Sequence, residues 1–159
     1  METTRYRIVA ADLDDPEHAT GLVHCLDDYA AGPMGRGQGL SLEVQRAIVP
    51  GLREHPERLI RLALHGRQVV GAAVCFIGFS TFSAQPRLNV HDLCVLGAHR
   101  GQGVGRGLLE SVLEGARAAG CSGVTLEVRG DNEVAQRLYR SLGFSGGSEP
   151  MLFWERKLP

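Results

Sequence analysis

Lysine is almost missing from this chain: Lys157 is the single one among 17 basic residues, the others being arginine. A phosphate loop of the G-x-x-x-x-G-K-[ST] kind needs a lysine beside its glycines, so that class of nucleotide enzyme is excluded. An excess of positive charge is also lacking. The 17 basic residues face 18 acidic ones for a net charge of −1, which argues against a nucleic-acid partner held by bulk electrostatics. No apolar run approaches the ~18–20 residues needed to span a bilayer, so no membrane partner is expected. The opening Met1-Glu2-Thr3-Thr4-Arg5-Tyr6 lacks the basic-then-apolar layout of a secretory leader, and the expected compartment is cytoplasmic. Cysteine is sparse and scattered. Cys25, Cys75, Cys94 and Cys121 show no C-x-x-C spacing and sit among apolar or small neighbours, so they read as reduced, mostly buried thiols, with no metal implied.

The chain has 159 residues, the size of one domain, expected over 1–159, and its 43% apolar and 22% charged residues describe a folded chain. Glycine is abundant at 21 of 159 residues, well above the ~7% average. Residues 6–11 are β-branched and apolar enough for a first strand, and Leu22, Cys25, Leu26 and Tyr29 recur at helical spacing. Ser41 fits the N-cap of a second helix that Pro50 should end or kink. Strands are predicted over 59–64, 69–79 and 87–96, with a tight turn at 65–68 and a loop over 79–86. Val104, Leu108, Leu109, Val112, Leu113 and Ala116 mark one face of a third helix that Gly120 closes. A strand over 123–128 follows. Asn132 then caps a fourth helix ended by Gly143, and 151–156 reads as a last strand. The order β-α-α-β-β-β-α-β-α-β predicts an α/β (α+β) domain with a mixed, mostly antiparallel central sheet of six to seven strands and about four helices.

The most informative stretch runs from Leu93 to Gly107. A buried strand enters glycines that open directly onto a helix. A helix N-terminus exposes about four unpaired N–H groups and roughly half a positive charge, and glycine lets an anion approach the backbone without a Cβ in the way. The expectation is a phosphate cradle, with Arg100 and Arg106 adding side-chain charge. A dinucleotide fingerprint G-x-G-x-x-G fails in both registers, because the third glycine falls on Arg106 or on Leu108. In its favour stands Glu127, about 20 residues on, where a ribose-binding acid would sit.

Arg100-x-x-Gly103-x-Gly105 fits another pattern, the Arg/Gln-x-x-Gly-x-Gly/Ala pyrophosphate loop. With Asp131-Asn132 and Tyr139-Arg140-Ser141-Leu142-Gly143-Phe144 downstream, the chain resembles the GCN5-related N-acetyltransferase superfamily, most strongly over 88–144. The resemblance implies acetyl-CoA as donor and coenzyme A as product. It implies the diphosphate on the amides of Gly101, Gln102, Gly103, Val104, Gly105 and Arg106. It also implies the pantetheine arm paired strand-like along Leu93, Cys94 and Val95, with Asn132 against it, in a V-shaped splay between that strand and the next.

Acetyl transfer to an amine requires a base for the amine, a donor for the oxyanion and an acid for the leaving thiolate. Asn132 and Tyr139 are two helical turns apart on one face, so a tyrosine at 139 can reach the sulfur if Asn132 touches the cofactor. The family resemblance gives Tyr139 the same role as the acid. The amide of Cys94 or Val95 suits the oxyanion if the strand is bulged there. His91 and Asp92 are both candidates for the base. On a regular strand they face opposite sides, so one at most enters the acceptor slot, and Asp92 is the better acceptor of a cationic amine. The implied acceptor region, about 27–38 and 79–86, offers Asp28, Tyr29, Phe79 and Phe82 as substrate contacts. Among the first 30 residues the acids Asp12, Asp14, Asp15, Glu17, Asp27 and Asp28 outnumber Arg5 and Arg7, and such a rim suits a cationic amine. The loop Phe79-Ser80-Thr81-Phe82 before the strand resembles the diamine/polyamine branch, which would carry Glu where His91 stands. The partner is therefore a small-molecule or peptide amine. An acyl-CoA-binding sensor without turnover is the alternative, and 151–156 is an edge through which a homodimer would form.

Overall fold

The computed structural model describes residues 6–159, so the leader reading over 1–5 lies outside the described residues. The elements run β1 (Arg7–Ala10), α1 (Pro16–Ala31), α2 (Leu42–Glu54), β2 (Arg58–His65), β3 (Gln68–Ser80), β4 (Gln85–Val95), α3 (Val104–Ala118), β5 (Val124–Leu126) and α4 (Glu133–Ser141). The strands form one mixed sheet in the spatial order β1-β2-β3-β4-β5. Pairs β1–β2, β2–β3 and β3–β4 are antiparallel, while β4–β5 is parallel and crosses over through α3. No helix among the described residues is long and apolar enough to cross a membrane.

Alternation along the strands separates two cores. Leu62, Ala72, Val74 and Cys94 face Leu22, Cys25 and Leu26 of α1, with Val49 and Leu52 of α2 packed beside them. Ala63, Val70, Ala73, Cys75, Leu88 and Val90 face Val104, Leu108, Leu109 and Val112 of α3. Leu108 is fully buried. Leu108→Ala is expected to destabilise the fold by about 2–5 kcal/mol, seen as a lower urea midpoint with an unchanged slope.

Several expectations need correction. Among the described residues the sheet has five strands, not six to seven. Residues 151–156 are irregular and exposed, and β5 is only three residues long, shorter than the strand expected over 123–128. Pro50 does not end α2, which continues to Glu54. Pro50 is exposed, and Val49 and Leu52 anchor the helix on either side of it. Of the loop expected over 79–86 only 81–84 is turn, and both ends are strand. β3 and β4 extend into a long hairpin, paired as far as Ser80↔Gln85 and closed by a turn in which Ala84 takes φ 52°.

Candidate active site

The sheet forks between β4 and β5. Leu88, Asn89 and Val90 pair with Val124, Thr125 and Leu126, and there the ladder stops. β4 continues through Val95, held by β3 on one side and open on the other. The Leu96 amide donates to the Val70 carbonyl at 2.9 Å. Antiparallel alternation then turns the Cys94 amide into the β3 ladder and the Leu93 and Val95 amides toward the gap. Of the two oxyanion donors expected, Val95 faces the fork and Cys94 does not. The Val95 carbonyl is already taken by the Arg100 Nε at 2.8 Å.

A β-bulge lies in β4, but at His91 and not at Cys94 or Val95. Val90 pairs with Cys75 and Asp92 with Val74, leaving His91 as the extra residue. The bulge overturns the expectation that His91 and Asp92 face opposite sides. Val90 lies in the α3-side core, whereas the His91 ring meets Phe76, packed against the α1-side core, at 5.5 Å between centroids. Asp92 precedes Cys94 on that same face.

Beside the fork, a short 3₁₀ turn (Gly97–His99) leads into the glycines. Gly101 and Gly103 take φ 71° and 82°, conformations that a side chain resists, and Gly103 is the N-cap of α3. A Cβ built at either would meet no protein atom within 4 Å, so neither glycine is demanded by packing. The backbone amides from Gly101 to Arg106 have no protein acceptor among the described residues. Open space over two left-handed glycines and a row of unpaired amides fit a diphosphate. Gly105 is different: its Cβ would lie 3.3 Å from Leu138, so it lets α4 approach α3. The arginines do not add charge as expected. Arg106 bonds Ser141 Oγ at 2.5 Å and pairs with Glu110, and Arg100 reaches Asp28 at 3.9 Å.

Asn132 caps α4 by accepting from the Ala135 amide at 3.2 Å, which leaves its Nδ2 unbonded among the described residues. Tyr139, two turns on, is half-buried against the α3-side core with its ring 6.0 Å from that of Phe144, and its hydroxyl has no protein partner among the described residues. Burial raises the Tyr139 phenol above its usual range, and Tyr29 across the fork adds to this. Burial likewise raises the Tyr29 phenol, with Asp92 and Cys94 reinforcing the shift and Arg129 opposing it. Tyr29 thus lies within electrostatic reach of Asp92, Cys94 and Tyr139. Burial lifts the Asp92 carboxyl above the ordinary carboxylate range, and His91 offsets part of that. The Cys94 thiol is raised well above its usual range, by its bond with Cys25 and by burial, which makes it a poor nucleophile.

The acceptor side differs from the sequence reading. Tyr29 faces the fork, but Phe79 and Phe82 do not join it. Phe79 lies five residues along β3 from the partner of Asp92, roughly 17 Å away at ~3.4 Å per residue, and Phe82 tops the hairpin turn fully exposed. Asp28 is turned to Arg100. Sequence reasoning missed Arg129, which grips Asp131 through Nε and Nη2 at 2.9 and 2.8 Å and donates through Nη1 to the Pro33 carbonyl at 3.3 Å. Arg129 thus ties the loop after α1 to the loop after β5, a link across 96 residues for which no local pattern is a signal. Glu127, read as a ribose acid, instead accepts from Asn89 Nδ2 at 3.3 Å at the floor of the fork.

The chain belongs to the acetyltransferase (GNAT) family, whose model matches residues 26–144. N-alpha-acetyltransferase RimI of Mycobacterium tuberculosis is 41% identical over 81 residues, 50% of this chain and 49% of that protein. This chain therefore spans about half the length of that relative. A solved structure of a probable acetyltransferase is 28% identical and superposes with a TM-score of 0.78 over 96% of this chain and 97% of its own. AAC(6')-Iy, solved with the bisubstrate analog CoA-S-monomethyl-acetylneamine, shares the fold at 16% identity, with a TM-score of 0.77 over 97% and 99% of the two chains.

Proposed function

We propose that residues 1–159 form one N-acetyltransferase domain that moves the acetyl group of acetyl-CoA directly to a primary amine of a small molecule or peptide. The observation that carries this reading is the row of unpaired amides from Gly101 to Arg106 beside the fork between β4 and β5. Acetyl-CoA, when bound, supplies an activated acyl thioester. The amides at the entrance of α3 would hold its diphosphate, Asn132 Nδ2 and the open edge of β4 would hold its arm, and the Val95 amide would face its carbonyl oxygen. Tyr139 would be the acid that supplies a proton to the leaving thiolate. Its raised pKa keeps that proton in place through neutral pH. Asp92 takes the proton of the incoming amine, and His91, beside it on the bulge, relays that proton toward solvent. Direct attack is favoured over a Cys94 acyl intermediate because that thiol is buried and held protonated. An amine acceptor agrees with the carboxyls of Asp92 on β4 and Glu127 beside Asn89, and with the printed name of RimI, an N-alpha-acetyltransferase.

The test is release of free coenzyme A from acetyl-CoA across a panel of primary amines. Turnover with at least one amine is expected, while binding without turnover would make the protein a sensor. The base is tested by pH. Asp92 must be unprotonated to work and its folded pKa is raised, so activity should climb with pH above the ordinary carboxylate range. In Asp92→Asn that acid limb should vanish and turnover fall by about 10²-fold or more. A limb retained in the variant would assign it to another group.

A further inference from the structure

The glycine loop has no packing of its own to hold it. A Cβ at Gly101 or Gly103 would meet nothing within 4 Å, and the amides of residues 101–103 donate to no protein acceptor among the described residues. Two glycines at positive φ also have the most backbone freedom to lose on ordering. The one side chain between them is that of Gln102, and it is held at both ends. Its Nε2 donates to the Ala98 carbonyl at 3.0 Å, and its Oε1 accepts from the Tyr6 hydroxyl at 2.5 Å. The Tyr6 oxygen also lies 3.2 Å from Nδ1 of His99. A phenol has a single proton. The Ala98 bond sets the Gln102 amide with its oxygen toward Tyr6, so that proton goes to Gln102. The Tyr6 oxygen must then accept from His99. The bonds run in one direction, from His99 Nδ1–H to Tyr6, to Gln102, to Ala98, and they fix a proton on Nδ1 of His99.

The edge strand brings Tyr6 to this place. Its register Arg7↔Leu64, continued by one residue, sets Tyr6 opposite His65. The His65 ring lies 5.7 Å from that of Tyr6 and 5.6 Å from that of His99, so the phenol is walled by two imidazoles. Ile8, two residues on and on the same side of β1, stands 3.4 Å from where a Cβ on Gly107 would lie. β1 is thus seated on the first turn of α3 and bonded to the loop before it. We propose that Tyr6 is a positioning residue for the coenzyme: through Gln102 and His99 it keeps the Gly101–Gly103 loop in the form that receives a diphosphate. This role rests on the proposed use of acetyl-CoA, whereas the hold on the loop does not. A loop ordered beforehand spares the ligand the entropy of ordering it.

The test variant is Tyr6→Phe, which keeps the ring beside His65 and His99 and removes only the hydroxyl. Nitrogen-15 NMR of the full chain without coenzyme, at about pH 8.5 where an imidazole is neutral, gives two readouts. His99, assigned by its loss in His99→Gln, should carry its proton on Nδ1 in the parent and on Nε2 in Tyr6→Phe. The Gly101 and Gly103 amides should be as ordered as α3 in the parent and mobile on the ps–ns timescale in the variant. In calorimetric titrations Tyr6→Phe should bind acetyl-CoA about tenfold more weakly and acetylpantetheine, which has no diphosphate, as the parent does. Gln102→Met cuts the same run of bonds from its other side. It should match Tyr6→Phe, and the double variant should be no weaker than either single one. A His99 proton on Nε2 in the parent, loop amides equally ordered in parent and variant, or an unchanged acetyl-CoA affinity overturns the proposal. Equal weakening toward both ligands also overturns it, by making Tyr6 a general support of the fold. A parent that binds no acetyl-CoA removes the proposed function instead, and the two NMR readouts then decide whether Tyr6 holds the loop.

Discussion

Gly103→Val is expected to abolish measurable acetyl-CoA binding while the protein stays folded. Gly103 holds φ 82° at the N-cap of α3, and nothing of the protein lies within 4 Å of where its Cβ would stand. The substitution therefore affects the fold only through backbone strain, on the order of 1–3 kcal/mol. Its effect on a bound diphosphate is far larger. Branched carbons would stand over amides that otherwise donate to the anion, and each hydrogen bond to a charged group contributes about 1.5–3 kcal/mol. Losing two of them lowers affinity by about 10²–10⁴-fold. Gly120 provides the control. It also has a positive φ, 72°, and open space around its Cβ, but it lies past the other end of α3. Gly120→Val should lose similar stability and keep its cofactor. Calorimetric titration and thermal unfolding of both variants make the check, and equal losses of binding would remove the cradle from the account.

Tyr139→Phe is expected to lower turnover by about 10²-fold with acetyl-CoA affinity unchanged. The ring's contacts with Phe144 and the α3-side core are apolar and survive the change, and the hydroxyl has no protein bond to lose among the described residues. Stability should accordingly stay within about 0.5 kcal/mol of the parent. A general acid acts only in the chemical step, so the loss should fall on kcat and not on the cofactor's dissociation constant. If affinity falls in proportion to turnover, Tyr139 is a packing residue. Asp92 carries a further consequence for stability. Its raised pKa means that the folded state holds a proton the unfolded chain has released, so stability should decline as pH rises from the ordinary carboxylate range through the raised value. Asp92→Asn should remove that decline.

Residues 88 to 144 were legible in the sequence because their signals are local. The Gly101–Gly105 spacing, the apolar face of α3, the Asn132 cap and the Asn132–Tyr139 interval each depend on neighbours a few residues apart, and each stands in the structure where periodicity places it. Features that depend on a strand partner were not legible. The bulge at His91 exists only as a mismatch between β4 and Val74-Cys75 of β3, yet it brings His91 and Asp92 to the same face. The aromatics of the hairpin were assigned to the slot because the turn at 81–84 could not be told from a longer loop; once β3 and β4 pair to their tips, Phe82 is carried away from the chemistry. Arg100 and Arg106 read as free cations because the sequence hides their partners, Asp28, Glu110 and Ser141. For residues 151–156, apolar β-forming composition predicts a strand, and composition cannot supply the edge on which that strand lies.

The central claim is that backbone amides at the entrance of α3 bind the coenzyme through its diphosphate. It is tested most directly by comparing acetyl-CoA with acetylpantetheine, which carries the same thioester and arm but no diphosphate, in calorimetric titrations of the full chain. The predicted result is one acetyl-CoA per chain and an acetylpantetheine affinity lower by at least about 10²-fold, with Gly103→Val removing that difference. Equal affinity for the two ligands, or no heat with acetyl-CoA, would contradict it.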